Sequence, residues 1–315
     1  MMLKIFKNEL NDEKVKKIKK IEDNCWINLV NPTGDEIRTV VGELGIEEDL
    51  ITKVLDEEEL PRVEKTDNAT LIVVDCPYWL DTHVKNKYTT YPLGIIICND
   101  FHVITVSLKE FEFLKEFEKG NVKTFYTYKK TRFLIQILLK SAQTYLKVLN
   151  IVNKDIEEKE KKLYHSTDNK LLVDLLNIEK TLVYFITSLK ANDLVLEKLS
   201  KGNIINMYEE DIEILEDTII ENKQGIEMCS IYKEILSSVT DTYATIVSNN
   251  LNLAMKFLAG ITIVLSVPTM ISSFLGMNVK LGEFANSGYA FSFICFISMF
   301  VAIFVAWLLK KKDML

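Results

Sequence analysis

Proline is scarce in this 315-residue chain, and its five positions (32, 61, 77, 92 and 268) leave 175 consecutive residues without one. With only 11 glycines, that excludes collagen-like or low-complexity material and leaves room for very long helices. The five cysteines (25, 76, 98, 229, 295) are odd in number and form no C-x-x-C pair, so buried thiols in a reducing compartment are expected. Three histidines (83, 102, 165) offer no sequence-local soft-ligand cluster, which favours a hard ion. There is no P-loop, no G-x-G-x-x-G, no H-E-x-x-H and no nucleophile–base signature, so no enzyme and no organic cofactor are expected. A basic excess is lacking too. The pI near 5.3 argues against nucleic acid as a partner.

What is present is a segregation that averages conceal. The chain is 48% hydrophobic and 26% charged, with a net charge of −7, which is ordinary for a soluble protein. Yet residues 256–315 hold five bases (Lys256, Lys280, Lys310, Lys311, Lys312) and two acids (Glu283, Asp313). That fifth of the chain is at +3, so residues 1–255 are at −10.

Residues 257–277 and 289–309 are each 21 positions without a charge. A helix rising ~1.5 Å per residue needs about 20 residues to cross a ~30 Å hydrocarbon core, so each stretch is read as a membrane span. Only 11 residues separate them, which makes a hairpin. Lys256 before the first span and Lys310–Lys312 after the second place both ends in the cytoplasm by the positive-inside rule. Residues 1–20 are highly charged, with no apolar h-region, so no signal peptide is expected.

Residues 1–120 read as a cytosolic α/β domain. Residues 25–30, 70–79, 92–98 and 101–107 are short and rich in β-branched or aromatic residues, with Asn99-Asp100 as a hairpin turn. Asn31-Pro32-Thr33 signals a helix start, with Asp35 and Glu36 in the first turn of a helix through Leu44. Residues 121–207 read as a helical hairpin, with helices from about Thr124 to Leu163 and from about Lys170 to Leu199. A third helix starts near Tyr208 and meets no strong breaker before the membrane. Residues 208–277 thus read as a stalk continuing into the first span, roughly 100 Å long if unbroken. Met228, Ile231, Ile235, Val239, Tyr243 and Ile246 follow 3–4 spacing along it, a seam suited to bundling. Residues 278–288 form the outer loop, 289–309 the second span, and 310–315 a basic cytosolic tail.

A second ladder runs through the first span: Asn252, Met255, Ala259, Thr262, Ser266, Thr269, Ser273 and Gly276, at alternating spacings of 3 and 4. This stripe is small or hydroxylated, while the other faces carry Ile, Leu, Val and Phe. Tight helix packing explains such a stripe, and so does a face lining a water-filled pore, which requires several copies around an axis. Periodicity leaves both readings open. The second span has Ser292 and Ser298 but no ladder, and is expected to face lipid.

The first span ends in Gly276-Met277-Asn278, followed by a short loop, a second span and a lysine-rich tail. This resembles the CorA family of magnesium transport proteins, whose signature is a GMN tripeptide at the outer end of the first of two C-terminal transmembrane helices. WINLVNPT (26–33) and ELPRVEK (59–65) are also similar to that family, so the likeness covers nearly the whole chain. It implies a funnel-shaped homo-oligomer, a homopentamer, with an α/β cytosolic domain, a long helical stalk and two C-terminal transmembrane helices.

The resemblance implies that Mg2+ is both transported and regulatory. Gly276, Met277 and Asn278 would form the pore mouth. Mg2+ releases its waters reluctantly, so amide oxygens accepting from first-shell water suit it, and Asn278 would supply them. Gly276 would let backbones approach and Met277 would pack behind. Asn252, Thr262, Ser266, Thr269 and Ser273 fall on pore-facing positions. Met255 and Leu258 fall on an apolar gate that would close by dewetting. Asp217 falls on a stalk aspartate that binds regulatory Mg2+ between neighbouring subunits, with Asp75 and Asp81 as candidate partners. The chain departs from the family at Leu275, where an aromatic is usual, and in a loop with Lys280 and Glu283 instead of Met-Pro-Glu. The Gly-Gly-Ile-Pro of zinc-transporting relatives is missing as well. Two alternatives stand beside a Mg2+ channel: a zinc or cobalt/nickel transporter of the same fold, and a membrane-anchored coiled-coil scaffold or sensor without a pore.

Overall fold

The computed structural model describes residues 3–9, 14–80, 88–98, 102–163, 169–201, 204–277 and 288–312. The chain divides into two compact units, Met1–Ser238 and Val239–Leu315.

The first unit is built on a seven-stranded sheet, ordered β2-β1-β3-β7-β6-β5-β4. Its strands are β1 Leu3–Asn8, β2 Val15–Ile18, β3 Trp26–Val30, β4 Arg62–Lys65, β5 Ala69–Trp79, β6 Tyr88–Cys98 and β7 His102–Ser107. Among the described strands only β3 and β7 run parallel. Both faces are covered, which explains why the central strands read as unbroken apolar runs. Along β5, Leu71 and Val73 point into one core, and Ile72, Val74 and Cys76 into the other. Helices α1 Gly34–Leu44 and α2 Asp49–Thr52 cover the first face, with a 3-10 turn at Lys53–Leu55. Helices α3 Glu112–Glu118, α4 Lys130–Leu163 and α5 Asn169–Lys201 cover the second, with the start of α6 Glu209–Leu275. The Asn-Pro-Thr signal is a capping box. Thr33 N donates to Glu36 Oε2 at 2.9 Å and Glu36 N to Thr33 Oγ1 at 3.4 Å.

Several local expectations shift. Strands β1 and β2 arise from a stretch read only as charged, because VKKI at the sheet edge keeps its lysines in water. Strand β6 begins four residues before Pro92, which pairs with Asp75 on β5 and lies beyond the first β6–β7 pair, Leu93↔Ser107. Proline is tolerated where the ladder is one-sided. Helix α4 starts at Lys130 rather than near Thr124, whose φ of 55° is left-handed and cannot continue a helix. The Asn99-Asp100 turn lies outside the described residues.

Of the expected seam on α6, Tyr243 is buried and Met228, Val239 and Ile246 are half-buried. The face buried within the first unit is Asp211, Leu215, Thr218, Asn222, Gly225 and Cys229, at heptad-like spacing. Ile231 and Ile235 stay exposed. Specific contacts pick the buried face. Asn222 Nδ2 donates to Leu189 O at 3.0 Å, and a Cβ on Gly225 would lie 3.1 Å from Leu189 Cδ1.

The second unit holds the end of α6 and helix α7 Ala290–Lys311. Both contain stretches long and apolar enough to cross a membrane, and 6% of each stretch is buried. A soluble core helix of that composition would be buried.

Candidate ion-conducting site

Helix α6 ends at Leu275, and its last backbone bonds are Gly276 N to Ser272 O at 2.9 Å and Met277 N to Phe274 O at 3.4 Å. A Cβ on Gly276 would sit 3.3 Å from Ser272 O, so the residue type suits this tight end. Met277 is exposed in the single chain, and Asn278 lies outside the described residues.

The described ladder residues Asn252, Met255, Thr262, Ser266, Thr269 and Ser273, together with Leu258, are all exposed, Met255 and Leu258 at 60% each. A different face of α6 is shielded: Gly260 is buried, and Val264, Val267, Pro268, Ile271 and Leu275 are half-buried. At about 100° per residue, these two stripes lie roughly 180° apart. Helix α7 has its own shielded face, with Ala290 and Ser298 buried and Ile294, Val301, Ala302 and Val305 half-buried. The rest of the surface of α7, the span expected to face lipid, is exposed, largely apolar and rich in phenylalanine.

Three hydroxyls of the ladder are polarised in one sense. Thr262 Oγ1 donates to Leu258 O at 2.8 Å, Ser266 Oγ to Ile263 O at 2.8 Å and Thr269 Oγ1 to Leu265 O at 3.2 Å. Each proton is spent on the helix's own carbonyls, which leaves oxygen lone pairs as the outward groups. Pro268 lies inside α6 and removes one backbone donor, so the Val264 carbonyl receives none from it.

Asp217 is exposed on α6, off its buried face. Among the described residues no three His, Cys, Asp or Glu side chains gather as a metal site. Asp75 is tied into the first unit: Ser188 Oγ donates to its Oδ2 at 2.6 Å, and Asn192 pairs with its backbone N and O at 2.9 and 2.8 Å. Burial pushes its carboxyl above the usual range, against the Ser188 bond. Asp81 lies outside the described residues.

Two features had no signal in local spacing. Strand pairing sets Cys98 opposite His102 and brings Cys25 Sγ within 3.5 Å of His102 Nδ1. Burial holds the imidazole below its ordinary pKa. At the root of α6, Arg132 on α4 reaches Glu210 and Asp211, beside a cavity of about 980 Å³ lined also by Lys65 and Lys129.

Against known proteins, a family described as CorA-like Mg2+ transporter protein matches residues 22–311. The cobalt/magnesium transport protein CorA of Methanocaldococcus jannaschii is 27% identical over 296 residues, covering 91% of this chain and 90% of that protein. The complete structure of the CorA magnesium transporter from the same organism superimposes with a TM-score of 0.86 at 25% identity, covering 98% of this chain and 97% of that one. The full-length CmaX protein gives 0.73 at 12% identity, covering 99% and 97%, a likeness of fold alone.

Proposed function

The chain belongs to the CorA-like Mg2+ transporter family, and on that premise we propose that it moves Mg2+ across a membrane through a pore lined by the α6 ladders of several copies. The observation that carries this reading is the ladder itself. It is exposed in the single chain, opposite the shielded face of α6, and the hydroxyl protons of Thr262, Ser266 and Thr269 are already committed. A hydrated cation presents only O–H donors, and a wall of lone pairs accepts them. One stripe cannot enclose a pore, so the chain works as a homo-oligomer, a pentamer in the family's pattern.

At the mouth, Asn278 accepts from the ion's first-shell waters. The end of α6 adds the partial negative charge of its last carbonyls, roughly half an elementary charge per helix. Rings of Met255 and Leu258 close the path by dewetting. The ion moves down its electrochemical gradient, and a potential of ~100 mV supplies about 4.6 kcal/mol for a divalent charge. The first unit and both termini lie in the cytoplasm, under the inner or plasma membrane. There Mg2+ bound at Asp217 holds the channel shut.

Mg2+ flux into vesicles carrying the Asn278→Ala variant is expected to fall sharply, and unchanged flux overturns the pore-mouth role. Competition by Co2+ and Zn2+ in the same assay decides the ion, cobalt being named for the M. jannaschii relative. Asp217→Ala is expected to weaken inhibition by Mg2+; identical inhibition refutes the regulatory site.

A further inference from the structure

The cavity at the root of α6, about 980 Å³, lies within the first unit and is roomy enough for a nucleotide-sized ligand. The turn between β4 and β5 walls it, together with the first turns of α4 and α6. Its charges are sorted by wall. The start of α4 brings Lys129, Lys130 and Arg132, and its first turn holds no acid. The start of α6 brings Glu209, Glu210 and Asp211, and no base. The β4–β5 turn contributes one of each, Lys65 and Asp67. Arg132 is committed, since it bonds both Glu210 and Asp211. Asp67 and Glu209 are exposed and make no ion pair among the described residues.

Thr70 lies on the floor of the cavity. It points to the same side of β5 as Ile72 and Val74, the side that α4 covers, and pairs in register with Ile97, which also lines the cavity. The residue is 9% exposed, yet its hydroxyl has no hydrogen-bond partner among the described residues. A hydroxyl so buried calls for a partner, and the cavity is the space from which one can come. Tyr208, 80% exposed, offers an aromatic ring at the rim. A ligand that suits both walls carries anionic groups and a cation together.

We propose that this cavity binds a nucleoside polyphosphate as its Mg2+ complex. The phosphates lie against the first turn of α4, where helix N–H groups and the Lys129 and Lys130 ammoniums meet them, with Lys65 opposite. Thr70 donates its hydroxyl to a phosphate oxygen. Asp67 and Glu209, which would repel bare phosphate, accept from water on the ion. The base stacks on Tyr208. No glycine-rich loop is involved, which is why sequence motifs gave no sign of the site. The proposal does not depend on the pore reading.

The test is calorimetric titration of the full-length, detergent-solubilised protein with Mg2+–ATP, at the same excess of Mg2+ in both solutions. Saturable binding at one ATP per chain is expected. Changing Lys65 and Lys129 together to Gln should weaken it about tenfold, the order of one charge-assisted hydrogen bond. Thr70→Val and Glu209→Gln should each weaken it about fivefold, as the loss of a single hydrogen bond does. Tripolyphosphate with Mg2+ should bind about tenfold more weakly than ATP for want of a stacked base, and the exposed Tyr208→Ala should erase that difference. No binding by the unaltered protein overturns the proposal, as does an affinity that the lysine pair and Thr70→Val both leave unchanged. Tripolyphosphate bound as tightly as ATP overturns the nucleotide assignment, and tighter binding by Glu209→Gln overturns the place given to the ion.

Discussion

Arg132 Nε donates to Asp211 Oδ1 at 3.0 Å, joining the first turn of α4 to the first turn of α6 across 79 residues of sequence. Both side chains are nearly buried, at 11% and 3% exposure, and Arg132 also bonds Glu210. Asp211 Oδ2 accepts from Tyr208 N at 3.2 Å, so one carboxylate both caps α6 and fixes its root to the sheet domain. The helix that carries the ladder is thereby held at its far end.

Arg132→Ala leaves the buried Asp211 without its cation, with only the Tyr208 N bond remaining. The expected cost is about 3 kcal/mol, read as a drop in melting temperature of the detergent-solubilised protein. Arg132→Lys should recover only part of it, because a single ammonium cannot fork across Asp211 and Glu210. A wild-type melting temperature in Arg132→Ala would show that the root is held by other contacts.

Gly94 is the point of closest approach between β6 and the 3-10 turn. A Cβ there would lie 2.6 Å from Val54 Cγ2, and Val54 is fully buried. Gly94→Ala should therefore destabilise by about 1–3 kcal/mol through overpacking. Adding Val54→Ala should restore part of the loss, since it removes the colliding methyls. Denaturant midpoints of the two variants check both statements.

Asp75 has a raised carboxyl pKa, with burial as the main cause and the Ser188 bond opposing it. A carboxyl raised in the folded state binds more protons folded than unfolded. Its contribution is therefore complete below the unfolded value of 3.8 and is lost as pH rises through the folded value. Asp75→Asn, which keeps an oxygen to accept from Ser188, removes this dependence. Its melting temperature relative to wild type should rise between pH 4 and pH 7. A difference that stays flat or falls with pH contradicts the assignment.

The legible parts of the sequence were those with local causes. Thr33 and Glu36 announced α1 because a capping box needs only four residues. The central strands showed because Leu71 to Val74 must satisfy two cores at once. The ladder from Asn252 to Ser273 was visible because helical spacing is fixed. What stayed hidden depends on distant partners. Nothing near Arg132 names Asp211, and nothing in Cys25 or Cys98 points to His102 until β3, β7 and β6 lie side by side. Two positions of the α6 seam, Ile231 and Ile235, are exposed for a related reason: hydrophobicity pointed to them, whereas α5 contacts the face holding Asn222 and Gly225.

The account turns on whether the ladder of α6 faces water along the conduction path. In a background without the exposed Cys295, Ser266→Cys and Leu265→Cys proteins in vesicles can be treated with a charged, water-soluble thiol reagent while Mg2+ flux is followed. The two residues are neighbours in sequence and both exposed in the single chain, but about 100° apart on the helix. Loss of flux at position 266, with flux kept at 265, is the expected result. Flux that persists after treatment at 266, or is lost equally at both positions, would contradict a pore along this face.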